Sequence, residues 1–542
     1  MTRQAQDQAV ASARMWASLC PLLDGLALGR MIEALEAVGA LAELRDLAAP
    51  EPIDGLARRW GTRPGYLHLV LRALAQLGLM TLDIAPDGQR LVAPTPAGRD
   101  WLVLTSAYRG FGQRLSEADD MPDWAEGRTP PPSAPPRLPP QALGESSASR
   151  LVASHLWGPL VAAFLTLCHR RASRTDPGIQ PSAADMLEAA GAVRDYGESL
   201  LVAQGWGERR GEVFTLDAVG ELALLAAPQC FHTLSYLPTL IRSDRLLFGQ
   251  DACPPQPTAD GRETHLDRAL DIAFSGLVFR RGCGTPFLRM LLPLFTETSP
   301  PTCVVDVGCG DGTLLLELGR GLRQAGLDTD AVTLVGVDPA PEARAETGDR
   351  LAREGLRHLI LDGDIAAPAA LAGRLAEAGL ALREGLFVSK SVFHDRRFTP
   401  PAANTPEPTG VPSCGVFIGE DGELLQTPEV ERQLIELLLR WRPWIGRHGM
   451  VVIEAHTADP AHGAAHAGHH VLVPLEVTHG LSHQYLLEAE RFRELVTQAG
   501  YRSAASADLN SWLVGRPLMT IDRYVVPSSR NDRISTPTPS LS

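Results

Sequence analysis

The chain changes rhythm near residue 302. Upstream, apolar residues recur every three or four positions, as along one face of a helix; downstream, short unbroken apolar runs alternate with helical stretches. Runs near 302–307, 333–338, 357–362, 385–390, 449–454, 501–506 and 517–525 read as strands. Strands that alternate with helices predict a parallel sheet covered on both faces, and the last two can pair antiparallel. Upstream, Met15, Leu19, Leu22, Leu23 and Leu26, then Met31, Ile32 and Leu35, predict two or three helices between residues 10 and 48. Pro52 and Asp54 open a further helix, Gly61 to Pro64 turn the chain, and Tyr66 to Leu77 form another helix that stops at Gly78. Thr81 to Ala93 reads as a hairpin turning at Pro86-Asp87-Gly88.

Helix, turn, helix and hairpin make a winged helix. Such a module can bind DNA, but its second helix offers only His68 and Arg72 as polar readers on an apolar surface, which favours a dimerisation and substrate-lid role. Residues 182–226 echo the pattern, with a helix near Ala192 to Ala203, a stop at Gly205-Trp206, a short hairpin at Glu208 to Phe214 and a helix over Thr215 to Leu225. A degenerate internal duplication would account for the echo. Between the two lies TPPPSAPPRLPP (129–140), semi-rigid extended chain within a linker. Phe231 to Phe248 reads as a cap helix, and Phe274, Ser275, Gly276 and Phe279 lie on a segment that either lines a pocket or only packs.

A chain of 542 residues is too long for one core, so two to four domains are expected. A net charge of -14 argues against a nucleic-acid partner. The eight cysteines contain no CxxC pair, which predicts reduced thiols and a cytoplasmic location. MTRQAQDQAV lacks the apolar core of a signal peptide, and no run of eighteen apolar residues predicts a membrane span.

The chemistry centres on CVVDVGCGDGTLLLE (303–317), a buried strand that turns through Gly308, Gly310 and Gly312 into a helix. No Lys-Ser/Thr follows, which excludes a P-loop, and GxGxG is not the GxGxxG of a dinucleotide fold. LVGVD then ends a second buried strand in Asp338, where an acid can hydrogen-bond ribose hydroxyls. DVGCGDG followed by VGVD resembles the binding motif of class I S-adenosylmethionine-dependent methyltransferases. The resemblance implies S-adenosylmethionine bound along successive strand ends by Asp306, Gly308, Gly310 and Asp311, by Asp338, and by Asp364 of LDGDI, with Asp362 as the alternative, for the adenine.

The fourth strand ends LFVSKSVFHDRRF, similar to a segment of caffeate-type O-methyltransferases. That likeness implies Lys390 beside the cofactor and His394 as general base, followed by Asp395. Arg396 stands where the family has Trp, so the pocket need not be a flat aromatic slot. After the fifth strand, VVIEAHTADP, the chain holds seven of its fifteen histidines between His456 and His483. His462, His466, His469 and His470 sit among Ala and Gly and read as loop residues. His456, His479 and Gln484, with Glu454 or His483 in reserve, are placed towards the transferred methyl, as a base or as ligands of Fe or Mn that stabilise an enolate. This arrangement resembles the metal-dependent methyltransferases of polyketide loading modules, of the apratoxin type, which implies α-carbon methylation of a carrier-bound malonyl unit.

The expectation is therefore an α/β protein: a seven-stranded doubly wound Rossmann-like methyltransferase sheet with N-terminal winged-helix and helical lid domains. The boundaries expected are 1–115 for a winged-helix, dimerisation-like domain, 116–149 for a Pro-rich linker, 150–254 for a helical lid with the second winged-helix-like element, 255–525 for the catalytic domain and 526–542 for a disordered tail. Function is expected to be methyl transfer in secondary metabolism to a small-molecule or carrier-bound acceptor. Catalysis falls to His394, His456 or His479, with a homodimer possible and no nucleic acid or membrane involved. The alternative is a winged-helix DNA-binding regulator that senses adenosylmethionine.

Overall fold

A computed structural model of the protein describes residues 3–85, 88–175, 180–253, 264–510 and 516–527. Pro86 and Asp87 of the hairpin turn, and all but the first two residues of the expected tail, lie outside these residues. The amino-terminal helices expected over 10–48 are mainly one, α1 (Arg3–Ala37), followed by a single short turn of helix at Ala40–Arg45. Its length follows from what crosses it. A Cβ on Gly25 would lie 2.1 Å from the His155 backbone, and one on Gly158 2.0 Å from the Leu22 carbonyl, so glycines on both helices let the two backbones touch.

Next come α2 (Ile53–Trp60) and α3 (Pro64–Gln76), then strands Met80–Ile84 and Arg90–Pro94, paired antiparallel with Met80 opposite Pro94. Every residue of α3 from Gly65 to Gln76 is buried. Residues 116–125, expected as linker, belong instead to α4 (Phe111–Ala125), whose Leu115, Met121 and Trp124 are in the core. The helix that α1 crosses, α5 (Ser147–Thr175), is long and apolar enough to span a membrane between Ser147 and Ser173, but 78% of its most apolar window is buried in the protein.

The echo of the first module is physical. Thr95 accepts a hydrogen bond from Gly98 N and Asp217 one from Gly220 N, and in both places the glycine lies directly over the carbonyl that ends the preceding turn, Leu79 or Trp206. A short helix, α6 (Phe231–Ser235), precedes α7 (Arg268–Val278), which continues through a π turn at Phe279–Cys283.

The sheet contains all seven expected strands: β1 (Cys303–Val307), β2 (Thr333–Val337), β3 (His358–Leu361), β4 (Leu386–Lys390), β5 (Met450–Ala455), β6 (Arg502–Asn510) and β7 (Pro517–Val525). Their spatial order is β6-β7-β5-β4-β1-β2-β3. All pair in parallel except β7, which lies antiparallel between β5 and β6. The order reverses between β1 and β4, and ligands of such sheets bind outside the strand ends at that switch point. α8 (Thr313–Gln324) and α9 (Pro341–Arg353) follow β1 and β2.

The two halves share a core. One hydrophobic cluster runs from Met15 to Leu270 and also takes in Ile418 and Val473, Val477 and Leu481, the last three on α10 (Leu472–Leu481). α3 packs on α10, where a Cβ on Gly480 would lie 2.7 Å from Leu69.

Candidate active site

The three glycines after β1 all have positive φ, at 78°, 54° and 74°, but they serve different ends. A Cβ on Gly308 would lie 2.5 Å from Val392, and one on Gly312 2.8 Å from Thr347. A Cβ on Gly310 would meet nothing within 4 Å. The outer glycines are therefore demanded by the protein's own packing, whereas the middle one faces open space.

Asp306, before this turn, is buried, and its Oδ1 has no hydrogen-bond partner among the described residues. Burial, with the Asp338 carboxylate as neighbour, pushes it up to about 8. Asp338, at the end of β2, accepts from Gly310 N at 3.1 Å and Ala340 N at 2.9 Å, and burial raises its carboxyl too. Lys390, ending β4, donates to Ser275 on α7 at 2.6 Å. A buried orphan carboxyl beside a backbone cradle fits the ammonium and sulfonium charges of S-adenosylmethionine. Asp311 is engaged elsewhere: it caps Thr313 N at 3.0 Å and pairs with Arg350 of α9. Asp364 is exposed and accepts from Ala366 N at 2.8 Å, while the neighbouring Asp362 pairs with Arg344 and Arg374.

Beyond β4 the chain turns at Ser391, whose φ of 59° is costly for a residue with a side chain. The turn folds Phe393 and His394 over the end of β5. There Glu454, 2% exposed, accepts from Phe393 N at 3.0 Å, from Ala455 N at 3.0 Å and from His394 Nδ1. Burial pushes Glu454 up, but the His394 ring and its hydrogen bond hold it below the ordinary carboxylate value. The His394 ring lies 5.0 Å from His479 on α10, and His479 lies 5.2 Å from His232 on α6. Phe274 and Tyr236 pack on His232 at 5.3 and 5.4 Å.

His456 is not part of this group. Its Nδ1 meets the Leu487 carbonyl at 3.2 Å and its Nε2 the Thr520 hydroxyl on β7 at 2.9 Å, so both nitrogens are spent on packing. Burial lowers its pKa to about 4. Gln484 donates to the Tyr236 hydroxyl at 3.3 Å. The expected metal set of His456, His479 and Gln484 is therefore not assembled, and among the described residues no group of three or more His, Cys, Asp or Glu is placed to hold a metal ion. Arg396 does not shape a substrate pocket either. It is buried, bonded to Gln433, Phe393 O and Val430 O, and lies over the Tyr485 ring at 5.4 Å. Sequence reasoning held Glu454 only in reserve and missed His232. Glu454 had a signal, because a lone carboxylate in a strand buried throughout needs a partner. For His232, on an apolar helix more than two hundred residues away, no sequence signal existed.

Residues 263–511 match the family model of the AprA MT2-like domain. No curated protein matches the chain. Among solved structures, an O-methyltransferase family protein from Burkholderia thailandensis aligns with TM-score 0.41 and 15% identity over 71% of this chain and 100% of that one. The CurJ carbon methyltransferase gives 0.36 and 10% over 76% and 99%, and the CMeT domain of the citrinin polyketide synthase 0.38 and 11% over 94% and 90%. Sheet order, glycine turn and the match of residues 263–511 to the AprA MT2-like domain together identify an S-adenosylmethionine-dependent methyltransferase domain in this part of the chain.

Proposed function

We propose that this enzyme serves natural-product metabolism and methylates an acceptor whose reacting atom, an enolisable carbon or a hydroxyl, gives up its proton to His394. The observation that carries this reading is the His394–Glu454 contact. A carboxylate only accepts, so His394 Nδ1 carries the hydrogen and Nε2 is left with a lone pair. As Nε2 takes the proton, Glu454 balances the charge on the ring, and the three N–H groups around the carboxylate keep it from turning away. S-adenosylmethionine, when bound, supplies an electrophilic methyl group carried on a sulfonium. Asp306, Gly310 and Asp338 are the residues that would hold it, with Asp364 on the adenine side and Lys390 closing the end of β4.

The modules before the sheet are read as a winged-helix-like base and a lid. The buried state of α3 supports a packing role over DNA reading, since the two side chains expected to read bases are engaged inside the protein, His68 with Asp54 and Arg72 with Glu476. A carrier-bound acyl thioester remains within the acceptor class.

The test offers wild type and His394→Gln labelled S-adenosylmethionine with a panel of phenols, hydroxy acids and enolisable acyl thioesters. Wild type is expected to methylate at least one, and the variant to be slower by about 10²- to 10⁴-fold with unchanged adenosylhomocysteine affinity. An undiminished rate in the variant would refute the assignment.

A further inference from the structure

His232 and His479 make no covalent or acid–base contribution to the step above, yet His479 stands beside His394 and His232 beside His479. Their hydrogen bonds fix their tautomers. His479 Nδ1 lies 2.6 Å from the Leu475 carbonyl, which can only accept, so Nδ1 carries the hydrogen. His232 Nε2 lies 2.9 Å from the Thr478 hydroxyl. That hydroxyl has one proton, directed to the Pro474 carbonyl at 2.8 Å or the Leu475 carbonyl at 3.1 Å, so it accepts from His232 Nε2. Burial, with the neighbouring His394 next, pushes His479 well below its ordinary value and His232 to about 4, so both rings are neutral near pH 7. The second nitrogen of each, His479 Nε2 and His232 Nδ1, is then a bare acceptor. Neither has a hydrogen-bond partner among the described residues.

Two unpaired acceptors beside a base present lone pairs, and neither of these two rings offers a donor there. We propose that His232 and His479 bind the methyl acceptor through its hydrogen-bond donors, so that the acceptor carries a hydroxyl or N–H group near the atom that is methylated. The inference rests on the reading of His394 as the base, because that reading places the acceptor in this space. A carbonyl oxygen set against the same two nitrogens would meet lone pairs and gain nothing.

The test uses enzyme loaded with adenosylhomocysteine and three N-acetylcysteamine thioesters, of 3-hydroxybutyrate, 3-oxobutyrate and butyrate. The hydroxy compound is expected to bind about tenfold more tightly than butyrate, and the oxo compound no more tightly. The preference should fall towards one in His232→Phe and His479→Phe and persist in His394→Gln. Nitrogen-15 spectra of labelled histidine, assigned with the same variants, should show His479 protonated on Nδ1 and His232 on Nε2. A preference for the oxo compound, equal binding of hydroxy and unsubstituted compounds, a preference that survives both Phe variants, or a divalent metal bound stoichiometrically at these nitrogens would overturn the proposal. If none of the thioesters binds, the spectra decide, and the opposite tautomers would overturn it. Undiminished turnover in His394→Gln with the preference intact would instead sink the base assignment alone.

Discussion

Glu454→Gln changes one oxygen for one NH₂ group in a site that presents three N–H donors: Phe393 N, Ala455 N and His394 Nδ1. With the amide oxygen towards His394, the NH₂ group faces Phe393 N–H, and a buried donor is left unsatisfied at a cost of about 1–3 kcal/mol. With the amide reversed, its NH₂ donates to His394 Nδ1, the hydrogen moves to Nε2, and the ring can no longer take a proton. In both orientations the ring loses its counter-charge when it becomes cationic. We therefore expect methyl transfer to slow by about 10²- to 10⁴-fold, measured at saturating acceptor and S-adenosylmethionine, with adenosylhomocysteine affinity unchanged by calorimetry. The carboxyl's pKa lies below its ordinary 4.5, so its contribution to stability is full above that value and is lost as pH falls through the folded-state value. Denaturation of wild type and variant should differ most near neutral pH and converge in acid. A variant with more than a tenth of wild-type turnover and an unaltered pH–rate profile would refute the role given to Glu454.

Two positions in the glycine turn should separate folding from binding. Gly308→Ala places a methyl 2.5 Å from Val392 at a φ of 78°, and is expected to cost about 2–4 kcal/mol by denaturant titration. Gly310→Ala meets nothing in the protein, so its stability loss should stay near the 1–2 kcal/mol of backbone strain while adenosylhomocysteine affinity falls at least tenfold. Asp306, pushed up to about 8, should be neutral at pH 7 without ligand and ionise when an ammonium binds. Cofactor affinity should then rise with pH until about 8, with proton release visible when calorimetry is repeated in buffers of different ionisation enthalpy; Asp306→Asn should abolish the release. Because the native state keeps a proton that the unfolded chain has lost above pH 3.8, stability attributable to Asp306 should fall as pH rises from there to about 8.

The strands were legible because fully buried runs such as CVVDV and TLVGV leave little choice of secondary structure, and the glycine turn because its conformations exclude other residues. The single helix α1 was not, because Pro21 lies inside it and the close crossing of α5 that packs on it is a long-range contact. Among the histidines, nearness in sequence to a strand end misled. His456 follows β5 directly but lies against β7, whose Thr520 takes its Nε2, and no local pattern announces which neighbour an antiparallel insertion will bring. His394 was legible through its motif, whereas its grouping with His479 and His232 arises only when α6 and α10 are packed together.

Arg72 bears on how the chain matures. From α3 it reaches Glu476 at 2.6 Å, the Cys414 carbonyl at 2.7 Å and the Ala458 carbonyl at 2.7 Å, partners separated from it by more than three hundred residues. During synthesis α3 is complete long before any of them exists, so its buried face and its guanidinium must wait, solvated or chaperoned, until α10 is made. The last third of the chain thus completes the first. Residues 263–527 expressed alone would keep the whole sheet but bury Glu476 without its counter-charge, and should be recovered soluble only when residues 1–262 are supplied alongside them.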